Sequence, residues 1–255
     1  MTSSNPQEHT YLPMRPEQER YKEYAFTALE GRFCDNREKF EDFYNSLDSS
    51  IQDDFLDAAA FYLFLVKQGD WHVKINDYNK NYASINNSLK LVSLFGLIES
   101  LSDVKYQDFY QWLCVKNKEL KLFPIHDRKA LSKLYNEYKR AYGSIRRCVA
   151  FFTHLPEDSQ KELLDTIKIK ECGEGGKGRP MKSIEEMAKF LYEKRSKFVH
   201  EAYLFNLGGP DHTVIEVDGK MMSISSLAIT DLQTLFEEGL LKHFSELNKT
   251  RKAQA

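Results

Sequence analysis

From residue 17 to residue 247 apolar side chains recur at three- and four-residue spacing, and only seven prolines and twelve glycines interrupt the 255 positions. That is the helical period. Its clearest instance is 86–101, where Leu89, Val92, Leu94, Phe95, Leu97, Ile98 and Leu101 leave little polar surface. A helix apolar nearly all round belongs in the middle of a bundle. Further helices are expected within 17–47 and at 53–67, 106–120, 128–152, 157–169, 183–205 and 226–247. The class these patterns predict is all-α, a helical bundle.

Two stretches break the period. Residues 170–182 carry four glycines and a proline in thirteen positions and are expected to form a loop. Thr213–Val217, the pair Asp218-Gly219 and Lys220–Ile224 alternate as a small late β-hairpin on a type I′ turn would, at about 213–224. The organisation expected is a flexible tail over 1–16, a single helical domain over 17–248 and a short tail over 249–255.

Composition excludes several classes. Seventeen Phe, fourteen Tyr and two Trp rule out a wholly disordered chain. No apolar run approaches the ~20 residues of a membrane helix, and no basic-then-apolar leader opens the sequence. A soluble, cytoplasmic protein without a membrane partner is the expectation. The net charge of −2 hides an asymmetry: residues 1–60 hold 6 basic and 13 acidic side chains, leaving 30 against 25 over 61–255. That excess is too small to declare a nucleic-acid binder, but it allows a local basic site. Cys34, Cys114, Cys148 and Cys172 have neither CxxC nor finger-like histidine spacing, so no metal and no cofactor is expected.

Few motifs remain. Gly175-Gly176-Lys177-Gly178 misses the phosphate-loop pattern, with Glu171 where its first glycine should be and Gly178 where its Ser or Thr should be. The same loop still carries Lys168, Lys170, Lys177, Arg179 and Lys182 against Glu171 and Glu174, a surplus able to touch a phosphate backbone. Ser183, with Glu186 three residues on, opens helix 183–205 as a capping box. Its apolar stripe runs Ile184, Ala188, Leu191, Arg195, Val199, Ala202, which puts an arginine where a core residue belongs. A guanidinium placed there needs partners, and Glu99, ending the apolar helix 86–101, is the cheapest candidate. His200 follows Arg195 by five residues, about 140° round the helix, on a second stripe of Tyr192, Ser196, His200 and Tyr203.

Arg195-Ser-Lys-Phe-Val-His200 resembles the R-x4-6-H motif of the HEPN superfamily, and the string EKRSKFVHEA is most similar to its Apea-like branch. The resemblance covers residues 55–247, with about ten specific positions. It implies an HEPN-like helical bundle and a metal-independent endoribonuclease of the kind that serves as a toxin or anti-phage defence effector. RNA would be cleaved by 2′-hydroxyl attack, giving a 2′,3′-cyclic phosphate. His200 would be the general base or acid and Arg195 the clamp on the scissile phosphate. Ser196 and Glu99 would support them, and Lys170, Lys177, Arg179 and Lys197 are candidate RNA contacts. One histidine per chain cannot easily serve as both base and acid, so a homodimer is implied; an antitoxin or other partner protein fits such an effector.

A second match, Arg147 to His154, has Cys148 after the arginine and abuts Pro156 at a helix end, and is read as a decoy. Two other readings compete. One is a non-catalytic HEPN-like module binding nucleotide, RNA or a protein partner. The other is an unrelated structural helical protein, in which Arg195 and Glu99 form an architectural pair.

Overall fold

A computed structural model describes residues 18–71, 82–102, 107–117, 126–166, 168–171, 179–204, 213–217, 220–224 and 227–254; at 168–171, 179–180, 213–217 and 220–224 it describes backbone only. The protein is all-helical in its main body. Helices α1 (Gln18–Leu29), α2 (Arg37–Ser46) and α3 (Ser49–Tyr62) open the chain, α3 running on into a π turn at Leu63–Lys67. Then come α4 (Tyr82–Ser100), α5 (Phe109–Asn117), α6 (Arg128–Tyr142), α7 (Ser144–His154), α8 (Glu157–Thr166), α9 (Ile184–Glu201) and α10 (Ile229–Gln254).

Local chemistry sets the helix starts. Asn36 accepts from the Lys39 N–H, Asp48 from Ser50, and Asp127 from Lys129 and Ala130, each side chain satisfying a donor the helix leaves open. At α9 Ser183 accepts from the Glu186 N–H at 3.2 Å. Glu186 reaches back to the Lys182 N–H at 2.6 Å, one residue earlier than in the usual capping box.

One hydrophobic cluster runs from Ala25 to Phe244. As the pattern predicts, α4 lies within it, with Leu91, Leu94, Phe95, Leu97 and Ile98 buried. It touches α7, α9, α10 and the π turn. Helices α7 and α9 pack along each other, and α4 contacts both. Burying side chains such as Phe95, Phe152 and Phe236, each at most 1% exposed, contributes roughly 2–3 kcal/mol apiece before entropy is charged.

Several expectations need correcting. Helices α3 and α4 begin at Ser49 and Tyr82, four residues before the expected 53 and 86, while α8 and α9 end at Thr166 and Glu201, short of 169 and 205. Residues 128–152 do not form one helix: Gly143, at φ −67° and ψ 135°, separates α6 from α7. A Cβ there would fall 2.4 Å from the Lys139 carbonyl oxygen, so only glycine permits the turn. The stretch 170–182 is not wholly a loop, because β1 (Lys168–Glu171) and β2 (Arg179–Pro180) pair antiparallel, Ile169 opposite Arg179. Two paired residues suffice for a bridge, and the glycines between lie outside the described residues. Helix α10 extends to Gln254, past the end expected at 247. The α9 stripe stops early: Val199 is 48% exposed and Ala202 is also exposed, while Lys194, off the stripe, is buried.

Backbone pairing also links β3 (Thr213–Val217) and β4 (Lys220–Ile224), giving the sheet order β2-β1-β4-β3. The turn expected at 218–219 and the proposed tail 1–16 lie outside the described residues.

Candidate functional site

Three helices converge on the buried thiol of Cys148. Helix α4 brings Glu99, α7 brings Arg147 and Cys148, and α9 brings Arg195. The mechanism of placement is simple. Each polar residue sits at the edge of an apolar face, so the packing that buries Ile98, Phe152 and Leu191 carries its neighbour into the seam.

Arg195 has a side chain only 21% exposed, on the bundle side of α9, and its Nη2 lies 3.6 Å from Glu99 Oε1. The expected pair therefore forms as an ion pair, though it is too long for a hydrogen bond. Arg195 Nε has no hydrogen-bond partner, and neither has Glu99 Oε1. The guanidinium rests over the ring of Tyr192, 5.4 Å from its centroid, a contact worth about 0.5–1 kcal/mol at a partly exposed site. Tyr192 in turn packs edge-on against Phe95.

Arg147, set aside by the sequence reading, is also half-buried, and its Nε and Nη2 have no partner. The signal for it was present but weak: an Arg-Arg pair followed directly by a cysteine within one helical stretch. Burial pushes the Cys148 thiol up to about 12; the charge of Glu99 adds to the rise, while Arg195 and Arg147 oppose it. So two guanidinium groups and one carboxylate surround a neutral thiol, with several of their polar atoms unsatisfied. Such a half-paired cluster is costly.

His200 lies in the last turn of α9 and is exposed. Beyond it the helix ends on Ala202, held in the left-handed region at φ 53°, with the Ala202 and Tyr203 N–H groups turned back to the Phe198 and Lys197 carbonyls. Val199, Tyr203 and Leu204 around it are exposed large apolar side chains. Ser196 is half-buried beside Arg195 in sequence. Lys197 is engaged by Glu193, with Nζ 3.5 Å from Oε1. Lys170 lies in β1 and Arg179 in β2, where backbone alone is described, and Lys177 falls outside the described residues. The buried ammonium of Lys194 has its pKa lowered, chiefly by desolvation.

Among the described residues no group of three or more His, Cys, Asp or Glu could hold a metal ion, and no helix is long and apolar enough to cross a membrane. No family model, curated protein or solved structure matches this chain.

Proposed function

We propose that the chain is a metal-independent endoribonuclease of HEPN type, a single helical domain with a small late hairpin that acts as a cytoplasmic homodimer. The observation that carries this reading is Arg195, held half-buried beside Glu99 with Nε unpartnered, on the same helix as an exposed histidine. A guanidinium one-fifth exposed, ion-paired to Glu99 at 3.6 Å without a hydrogen bond, keeps terminal N–H groups that can turn to a phosphate, which accepts two N–H bonds from one guanidinium. Glu99, near but not hydrogen-bonded, orients it without neutralising every donor.

In this mechanism one imidazole removes the proton from a ribose 2′-hydroxyl. The 2′-oxygen bonds to phosphorus in line with the bond to the 5′-oxygen, which breaks. A second imidazole protonates that leaving oxygen. Arg195 holds the charge that builds on the phosphoryl oxygens. The two imidazoles would be His200 and a second copy's His200. The apolar surface of Val199, Tyr203 and Leu204 beside His200 supports a face covered by that copy. A toxin or anti-phage role, held in check by an antitoxin, suits such an enzyme.

The test is incubation of the purified protein with labelled RNA in EDTA. Products ending in 2′,3′-cyclic phosphate are expected. Replacing His200 or Arg195 by Ala should each cost on the order of 100-fold or more, and His154→Ala should leave the rate nearly unchanged. Mixing either inactive variant with wild type should lower activity beyond dilution. Full activity of His200→Ala, or cleavage that stops in EDTA, would transfer the better account to a non-catalytic binding module.

A further inference from the structure

Where α4, α7 and α10 meet, a cavity of about 240 Å³ opens behind the Cys148 seam. Arg146, Arg147 and His154 line it from α7, Lys242 and His243 from α10, and no Asp or Glu lines it. We propose that this cavity binds a phosphate monoester, anchored by Arg147.

The partners of each cation separate their roles. Arg146 donates from Nη1 to the Arg140 and Ala141 carbonyls at 2.9 and 3.1 Å, so it closes the end of α6. Glu246, outside the lining, holds His154 Nε2 at 2.7 Å and stands 3.9 Å from Lys242 Nζ, which fixes both on the rim. Arg147 differs: it has no ion pair with a described residue, and its Nε and Nη2 have no hydrogen-bond partner. Both atoms are enclosed, so an anion seated against the part of Arg147 that lines the cavity stabilises the guanidinium by charge.

Charge and size narrow the ligand. Arg146, Arg147 and Lys242 bring three positive charges to one lining, while Glu246 behind it brings one negative, so a dianion balances the site better than a single carboxylate. Phosphate monoesters are largely dianionic at neutral pH, with a second pKa of about 6. The opposite wall is Ile98, Leu101, Ala150 and Phe151, a place for a compact organic group. Phe151 can lie there because α10 has glycine at 239, where a Cβ would stand 2.3 Å from Phe151 Cζ. The volume falls below the ~300 Å³ at which drug-sized pockets begin, which suits a sugar phosphate or a nucleoside monophosphate.

This proposal does not depend on RNA cleavage, and its assay is binding alone. Calorimetric titration of the full chain with ribose 5-phosphate, AMP and inorganic phosphate should show at least one ester binding tenfold or more tightly than phosphate. Arg147→Gln should weaken that ester roughly tenfold or more, the scale of a lost charge-assisted contact. Lys242→Gln, on the partly exposed rim where it gives up only a 3.9 Å ion pair with Glu246, should weaken it several-fold. No binding of either ester at millimolar concentration would overturn the proposal, as would inorganic phosphate binding as tightly as the esters. Unchanged affinity in Lys242→Gln overturns it too, even if Arg147→Gln does not fold.

Discussion

The molecule contains two arginine–glutamate clusters of equal depth and opposite character. Arg32, after α1, and Arg195, on α9, both have side chains 21% exposed. Every nitrogen of Arg32 has a partner: Nε donates to Glu237 at 3.2 Å, Nη1 to Glu238 at 2.7 Å, and Nη2 to the Thr234 carbonyl. Glu237 is further held by the Tyr62 hydroxyl at 2.8 Å and stands 3.5 Å from Lys67 Nζ. Burial, then the charge of Glu237, raises the Tyr62 pKa, so this hydroxyl remains a donor. Around Arg195 the partners run short, and Arg147 nearby has fewer still. The first cluster ties α3 and the segment after α1 to α10. The second leaves Arg195 Nε and Arg147 Nε and Nη2 enclosed without a protein partner, where native interiors satisfy nearly all such groups.

The contrast can be broken most sharply on RNA. Arg195→Ala is expected to lose on the order of 100-fold in cleavage, whereas Arg32→Ala should leave the specific activity of the folded fraction intact. Equal losses would erase the distinction.

Stability should show the reverse order. Arg32→Met leaves Glu237 short of its main counter-charge and is expected to cost about 2–3 kcal/mol, less than a fully buried pair because one face meets solvent. Arg147→Met removes donors that have no partner, so denaturation should place it within about 1 kcal/mol of wild type in either direction. A large loss in Arg147→Met would mean that its environment is structural.

The thiol between the charges gives a finer probe. At pH 8 a maleimide should label the exposed Cys34 and Cys114 in the native protein, while the buried Cys148 reacts only after unfolding. The native thiol pKa of about 12 lies above the ordinary value. As pH rises past about 9 the unfolded state therefore loses this proton first. Stability from this group is full below that value and declines towards pH 12. Between pH 8 and 10 wild type should lose about 1 kcal/mol more than Cys148→Ala.

The smallest expected effect lies at the end of α9. Ala202 occupies a left-handed backbone position that glycine adopts without penalty, so Ala202→Gly should stabilise the protein by about 0.5–1 kcal/mol. A loss of stability would show that the Ala202 methyl makes contacts worth more than the strain.

What could be read from the chain was local. The cap at Ser183 follows from two residues three positions apart, Ser183 and Glu186, and the burial of α4 from apolar side chains at helical spacing. Arg195 betrayed its half-buried place because it interrupts an apolar stripe, and Glu99 because it ends one. The same reasoning overran at Val199, since periodicity says which side a residue faces but not where the neighbouring helices stop covering it. It missed the break at Gly143, because the clash that demands glycine there depends on the finished turn.

Sequence alone therefore determined the helical class, the cap at Ser183 and the residues that would need partners. Tertiary structure decided which of those needs were met. Arg32 meets Glu237 across 205 positions, a closure no local pattern announces. Glu246, one turn along α10 from Lys242, goes to His154 and Lys242, while Arg147 Nε and Nη2 end without a partner. Satisfaction of a buried charge is a property of the assembled interior, where each donor competes for the few acceptors that packing brings within reach.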